Sequence, residues 1–193
     1  MSSFSTDRPH AHVPPRIVSS WRSVLTDRFR TGCDYADEDR PLRGYVALTS
    51  VYLGVSAALL RRAGRVSSVR ISAGDIVLIG LASHRLSRTV TKEAIASPLR
   101  APFTRYTRSG VASEVSEEVV ADSTHHPYAH AVGELLTCPF CMAQWTSTGL
   151  VAAYILAPRQ ARVVTAILDS AAIANVLHLL YSSLAERVER QPD

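Results

Sequence analysis

Hydrophobic and polar positions in this 193-residue chain are sorted into blocks. Residues 44–60, 71–83, 143–157 and 161–184 are apolar, whereas residues 1–40 and about 84–137 are polar and charged. Soluble helices mix apolar and charged residues in every turn, so block segregation points to membrane segments. Residues 44–60 carry no charge, and their 17 positions meet the lower limit for a spanning helix. Tyr45 at one end and Arg61-Arg62 at the other are interface anchors. Residues 71–83 form a shorter run that holds Asp75, and snorkelling of Arg85 and Arg88 extends the helix to about residue 91. Pro158-Arg159-Gln160 alone separates the last two segments, which forces an antiparallel hairpin. The expected fold class is all-α: a small helical membrane bundle of about four (three to four) transmembrane helices, with a long polar loop between the second and third.

Four regions follow. Residues 1–40 read as a disordered or loosely ordered tail, with a short amphipathic helix near 17–29 that dips Trp21 and Phe29 into a membrane interface. Residues 41–70 hold the first membrane helix and a basic loop. Residues 71–186 form the core domain, with membrane helices near 71–91, 140–157 and 161–184 and a polar loop over 92–137. Residues 187–193 are a C-terminal tail. In the loop, Pro98 and Pro102 prevent a regular helix, and arginines alternating with Phe103 and Tyr106 suit a segment lying on headgroups. The acidic stretch with Glu114, Glu117, Glu118 and Asp122 reads as a solvated loop or short helix. No cleavable signal peptide is expected, because no apolar run follows the early basic residues.

An even number of spans places both termini and the long loop on one side. About ten Lys and Arg lie near the helix ends on that side and about six on the other, which favours a multi-pass protein of the cell membrane with loop and termini in the cytoplasm. Arg61, Arg62, Arg65 and Arg70 in the short first loop oppose this orientation. The net charge of +4 comes almost wholly from arginines flanking apolar segments, which suits a lipid bilayer partner. There is no zinc-finger, ribonucleoprotein or helix-turn-helix pattern, so nucleic acid is not an expected partner. Three cysteines do not make a disulfide framework, and Cys33 stands alone in a charged stretch as a bystander.

The other two cysteines form Cys138-Pro139-Phe140-Cys141, where the polar stretch ends and the third apolar segment begins. Three readings stay open. As a catalytic pair, Cys138 caps the helix, Pro139 takes the first helical position, and the helix N-terminus favours a reactive thiolate. No βαβ pattern surrounds the pair, so a thioredoxin fold is not indicated. As a metal site, the two thiolates join His130, with His125 or His126 near by, around zinc. As packing, two small apolar side chains fill a helix start.

His84, Arg85, Arg88 and Lys92 fall on one arc of a helix, either anchoring to headgroups or facing a polar cleft. Asp169 interrupts an apolar run, which makes it a functional-site candidate, with Arg85 or Arg88 as the partner across the bundle. Asn175, His178 and Ser182 make a second polar strip on the opposite face. Asp75, near a helix start, complements the helix dipole.

Three phrases together carry a resemblance: Gly80-Leu81-Ala82-Ser83-His84-Arg85-Leu86-Ser87-Arg88, then Ser97-Pro98-Leu99-Arg100-Ala101-Pro102-Phe103-Thr104-Arg105-Tyr106, then Gly133-Glu134-Leu135-Leu136-Thr137-Cys138-Pro139-Phe140-Cys141 with Trp145. Over residues 72–184 the chain resembles the bacterial integral membrane protein family known as domain of unknown function 1360. Arg85, Arg88, Pro98, Arg100, Pro102, Phe103, Arg105, Glu134, Cys138, Cys141 and Trp145 match its pattern. His125, His126 and His130 fall in its variable part, which weighs against zinc as a shared function. The resemblance implies an integral membrane protein and no particular activity. The leading expectation is an interaction or scaffold component, partnering another membrane protein or itself, with the cysteine site at the membrane surface. Glu134 would tie the loop back to the last hairpin through Arg100 or Arg105. A membrane thiol–disulfide oxidoreductase using Cys138 and Cys141 is the alternative, and a transporter or channel subunit using Asp169, Asn175 and His178 is a third.

Overall fold

The computed structural model describes residues 34–35, 38–65, 71–110 and 114–190. The expected helix near 17–29 with Trp21 and Phe29, Cys33, Arg70 and the last three residues lie outside the described residues. Two short strands, β1 (Asp34–Tyr35) and β2 (Glu38–Asp39), pair antiparallel ahead of the first helix.

Four long helices follow the four apolar blocks: α1 (Leu42–Ala63), α2 (Ala73–Lys92), α5 (Pro139–Leu156) and α6 (Pro158–Glu189). Their ends are set by local chemistry. Ser72 opens α2 with a capping box: its hydroxyl accepts from Asp75 N at 3.1 Å, and Asp75 Oδ2 accepts from Ser72 N at 2.9 Å. Asp75 is thereby spent on the helix start. Pro139 and Pro158 begin α5 and α6, where a missing N–H breaks no helical bond. The break between those helices is Ala157 alone, tighter than the expected three residues.

Helix α2 runs through the middle of the bundle. Ser83 Oγ meets Thr146 Oγ1 at 2.7 Å and Ser147 Oγ at 2.8 Å on α5, and donates to Ala143 O at 3.1 Å. Ile79, Ala82, Leu150, Tyr154 and Ala161 close the apolar centre where α2, α5 and α6 meet. Small residues allow these helices close approach. Helix α1 lies on α5 through Tyr52, whose hydroxyl sits 2.6 Å from Gln144 Nε2 and 3.0 Å from Thr148 Oγ1.

Two of these helices, α1 and α6, are long and apolar enough to cross a membrane. Their apolar side chains face outward: 6% of the most apolar stretch of α1 and 17% of that of α6 are buried. Exposed Val51, Leu53 and Leu60 on α1 and Ile167, Leu177 and Leu180 on α6 show the same thing. Such faces are unlike the inward stripe of a soluble bundle. Helix α2 carries Arg85, Arg88 and Lys92, and the first half of α5 is rich in Gln, Thr and Ser, so neither reaches that apolarity.

The expected polar loop over 92–137 is instead a folded head, and the fold is mostly helical rather than all-α. A 3₁₀ turn (Ala94–Ala96) and the short helix α3 (Ser97–Arg100) lead into strands β3 (Thr104–Ser109) and β4 (Val115–Val119), an antiparallel hairpin, and then helix α4 (Pro127–Thr137). The acidic stretch is therefore a strand, with Glu118 opposite Arg105 and Glu117 opposite Tyr106. Arg100 is fully buried and fixes the head. It donates to Glu117 through Nε (2.9 Å) and Nη2 (2.9 Å), to Val90 O at 2.6 Å and to Glu93 O at 3.0 Å. Thr104 Oγ1 gives Glu117 a further bond at 2.6 Å. Two glycines set close approaches: a Cβ on Gly44 would lie 2.7 Å from Ala131 Cβ, joining α1 to α4, and one on Gly133 would lie 2.8 Å from Val119 Cγ1, joining α4 to β4.

Candidate functional site

The junction of α4 and α5 is a single residue, Cys138, which ends one helix and caps the next in extended backbone (φ −100°, ψ 106°). Pro139 follows at the first helical position, and the turn brings Cys141 N–H onto Cys138 Sγ at 3.4 Å. Both thiols are free; Cys138 is half-buried and Cys141 exposed. Residues three apart on a helical turn bring their Cα atoms within the about 4.4–6.8 Å that a disulfide spans. Burial opposes ionisation of Cys138, but hydrogen bonds from Cys141 and the nearby Lys92 ammonium outweigh it, holding the thiol below its ordinary pKa.

The pair opens onto a pocket of about 670 Å³ between α1, α4 and α5, a volume within the usual range for small-molecule sites. Leu48, Leu135 and Ala131 supply apolar wall, and Tyr52 meets Trp145 edge to face with ring centroids 5.4 Å apart. Also lining the pocket, Glu134 accepts a short hydrogen bond from Tyr45 Oη and pairs with Arg40 Nη1 at 3.1 Å. The charges there are matched, which leaves the pocket close to neutral. Tyr45, Tyr52, Gln144 and Arg40 were not singled out from sequence as site residues; the seven-residue spacing of the two tyrosines on one helix face is the signal that marks them.

Glu134 does not meet Arg100 or Arg105, because Arg100 is taken by Glu117 inside the head and Arg105 stands on exposed β3 opposite Glu118. His130 turns from the thiols: its Nδ1 lies 2.6 Å from Ala121 O and its Nε2 3.7 Å from Glu134. His125 pairs with Asp122, whose carboxyl is held below the usual range by backbone hydrogen bonds from His125 and Thr124. Among the described residues, no three His, Cys, Asp or Glu side chains come together to hold a metal.

The two polar strips of α2 and α6 do converge. His84, Arg85, Arg88 and Lys92 face Asn175, His178 and Ser182 across a second cleft of about 810 Å³. Arg85 is paired with Glu93 and Arg88 with Glu114, both from the head, so neither reaches Asp169 as expected. Asp169 is buried with both carboxylate oxygens lacking a hydrogen-bond partner, as is the Thr165 hydroxyl one turn away.

Residues 78–181 match the family described as Protein of unknown function (DUF1360). The chain is also similar to Sporulation protein YjcA of Bacillus subtilis (strain 168), 30% identical over 115 residues that cover 55% of this chain and 90% of that protein. No solved structure matches. The matched span contains α2 from Leu78, the head, the cysteine pair, and α6 as far as Tyr181.

Proposed function

The chain belongs to the DUF1360 family of proteins of unknown function, and from that premise we propose that it is a multi-pass membrane protein whose Cys138–Cys141 pair carries out thiol–disulfide exchange at the membrane surface. All four long helices cross the bilayer in this reading. Helix α1, at 22 residues, spans about 33 Å and α6, at 32, about 48 Å, against a hydrocarbon core of about 30 Å. The head, the start of α1 and the end of α6 then share one side, and the distribution of basic residues favours the cytoplasm for that side, against the arginines of the first short loop.

The observation that carries the thiol reading is the asymmetry of the pair. Cys138 is an N-cap thiol that receives hydrogen bonds from Cys141, whose own thiol lies exposed beside it. In the oxidised pair, an incoming thiolate attacks Cys138 Sγ and Cys141 leaves. A second thiol of the same donor then attacks the mixed disulfide and releases Cys138, whose lowered pKa makes it the better leaving group. The donor loses two electrons and the pair gains them. In Cys141→Ser the Cys138 thiolate can still attack the disulfide of the oxidised donor, the reverse of the release step, and no Cys141 thiol remains to displace the donor. Mixed disulfides through Cys138 should therefore accumulate, seen as reductant-sensitive bands in membranes quenched with acid. Cys138→Ser should show none. Absence of such bands in Cys141→Ser would sink the thiol reading.

A second reading has its own observation. The head presents exposed Ile95 and Leu99. Docking of this face on a membrane protein or a second copy would make the chain an interaction component. In that case Cys138→Ser and Cys141→Ser are tolerated, whereas Ile95→Asp with Leu99→Asp abolishes function.

A further inference from the structure

We infer that the pocket beside the thiols takes the ring of a membrane-soluble quinone, which accepts the electrons of the Cys138–Cys141 dithiol; this rests on the thiol reading above. A pair that becomes oxidised must hand two electrons and two protons to an acceptor. The chain has three cysteines, and the third, Cys33, has no neighbour at disulfide spacing in sequence, so this chain offers no second cysteine pair as a relay. The acceptor therefore has to come to the pair itself.

The pocket meets that need in size, polarity and access. Its volume of about 670 Å³ suits a ring with its first prenyl unit. Leu48, Leu135 and the Tyr52–Trp145 edge pair give flat apolar contacts to a ring. A charged ligand has no uncompensated counter-charge here, since Arg40 and Glu134 neutralise each other. A carbonyl does have a donor: Gln144 Nε2 carries two N–H groups and spends one on Tyr52 Oη at 2.6 Å. One wall is α1, whose remaining apolar side chains face outward, so a lipid-dissolved molecule reaches the pocket without crossing water. In the reaction two S–H bonds break and one S–S bond forms. The two electrons and two protons convert the quinone carbonyls to hydroquinone hydroxyls.

The test uses the full chain in phosphatidylcholine nanodiscs, with Cys33→Ser and Trp21→Phe so that Trp145 is the only indole. The probe is decyl-ubiquinone, whose fully substituted ring cannot add a thiol. Quinones quench indole fluorescence at contact. Titration is expected to give saturable quenching of Trp145. Thr49→Phe, at an exposed position on the pocket wall, should abolish saturation by filling the space. Gln144→Leu should weaken the midpoint about tenfold through the lost hydrogen bond. With both cysteines present, one hydroquinone should appear per disulfide formed. Quenching that rises linearly and ignores Thr49→Phe overturns the pocket. Saturable quenching without hydroquinone, while Cys141→Ser still traps mixed disulfides, overturns the quinone as acceptor and leaves the thiol reading standing. Absence of both hydroquinone and trapped disulfides takes the thiol reading down instead.

Discussion

Replacing Arg100 with methionine should loosen the head without disturbing the bundle, and the size of the effect follows from what Arg100 holds. Its guanidinium is fully buried, makes two 2.9 Å bonds to a Glu117 side chain that is 7% exposed, and satisfies the carbonyls of Val90 and Glu93. Removing one partner of a buried ion pair costs about 3–5 kcal/mol, because the other charge stays behind. In Arg100→Met with Glu117→Leu no charge is stranded, and what remains is mainly the unpaired carbonyls of Val90 and Glu93, which the single variant leaves unpaired as well. The pair should therefore show a coupling of more than about 2 kcal/mol in a double-mutant cycle. Hydrogen exchange of the β3 and β4 amides in nanodiscs reads this locally. A loss of about 3 kcal/mol speeds exchange by about two orders of magnitude in the single variant, and by clearly less in the double. Acceleration below tenfold in Arg100→Met, or equal acceleration in single and double, would refute the reasoning.

The same lock fixes a pH dependence. Hydrogen bonds from Arg100, opposed by burial and helped by Thr104, hold the Glu117 carboxyl below its ordinary range. A carboxylate with a depressed folded pKa contributes stability that is fully present above its unfolded value, about 4.3, and is lost as pH falls through the lower folded value. Head exchange should thus be insensitive to this group above about pH 5 and should accelerate in stronger acid. In Glu117→Gln that acid step should be missing.

Three further outcomes follow from contacts elsewhere. Gly44→Leu should push α1 off α4, because even a Cβ there lies 2.7 Å from Ala131 Cβ, and maleimide labelling of Cys138 should speed up; unchanged labelling would contradict the close approach. Asp169→Asn should be at least as stable as the parent in thermal melts, since the carboxylate has no partner to lose; a drop above about 2 kcal/mol would reveal one. Ser83→Val should cost about 1–3 kcal/mol by leaving Thr146 and Ser147 less satisfied between α2 and α5, read as a lower melting temperature.

Four helices were legible because each coincides with an uncharged or weakly charged block bounded by Pro, Ser or Arg, and the capping role of Cys138 was legible from Pro139. The head was not. Strands β3 and β4 read Thr-Arg-Tyr-Thr-Arg-Ser and Val-Ser-Glu-Glu-Val, with no alternation of apolar and polar residues to mark a half-buried strand. Their order comes from Arg100 reaching Glu117 across 17 positions, and a sequence pattern carries no information on which carboxylate an arginine will find. The same blindness misassigned Glu134 and Asp169. Arg85 and Arg88 were open to Asp169 by helix geometry, but Glu93 and Glu114 lie nearer once the head folds back over the end of α2.

The central claim is that Cys138 and Cys141 form an asymmetric exchanging pair, and the rate of alkylation against pH tests it most directly. The reduced protein, with Cys33→Ser, would be treated with iodoacetamide in nanodiscs and each cysteine quantified by peptide mass spectrometry. The account predicts that Cys138 reacts first, with a half-point below that of an ordinary thiol, and that Cys141→Ala raises that half-point by removing the sulfhydryl donor. Equal rates at the two cysteines, or Cys141 reacting first at neutral pH, would contradict it.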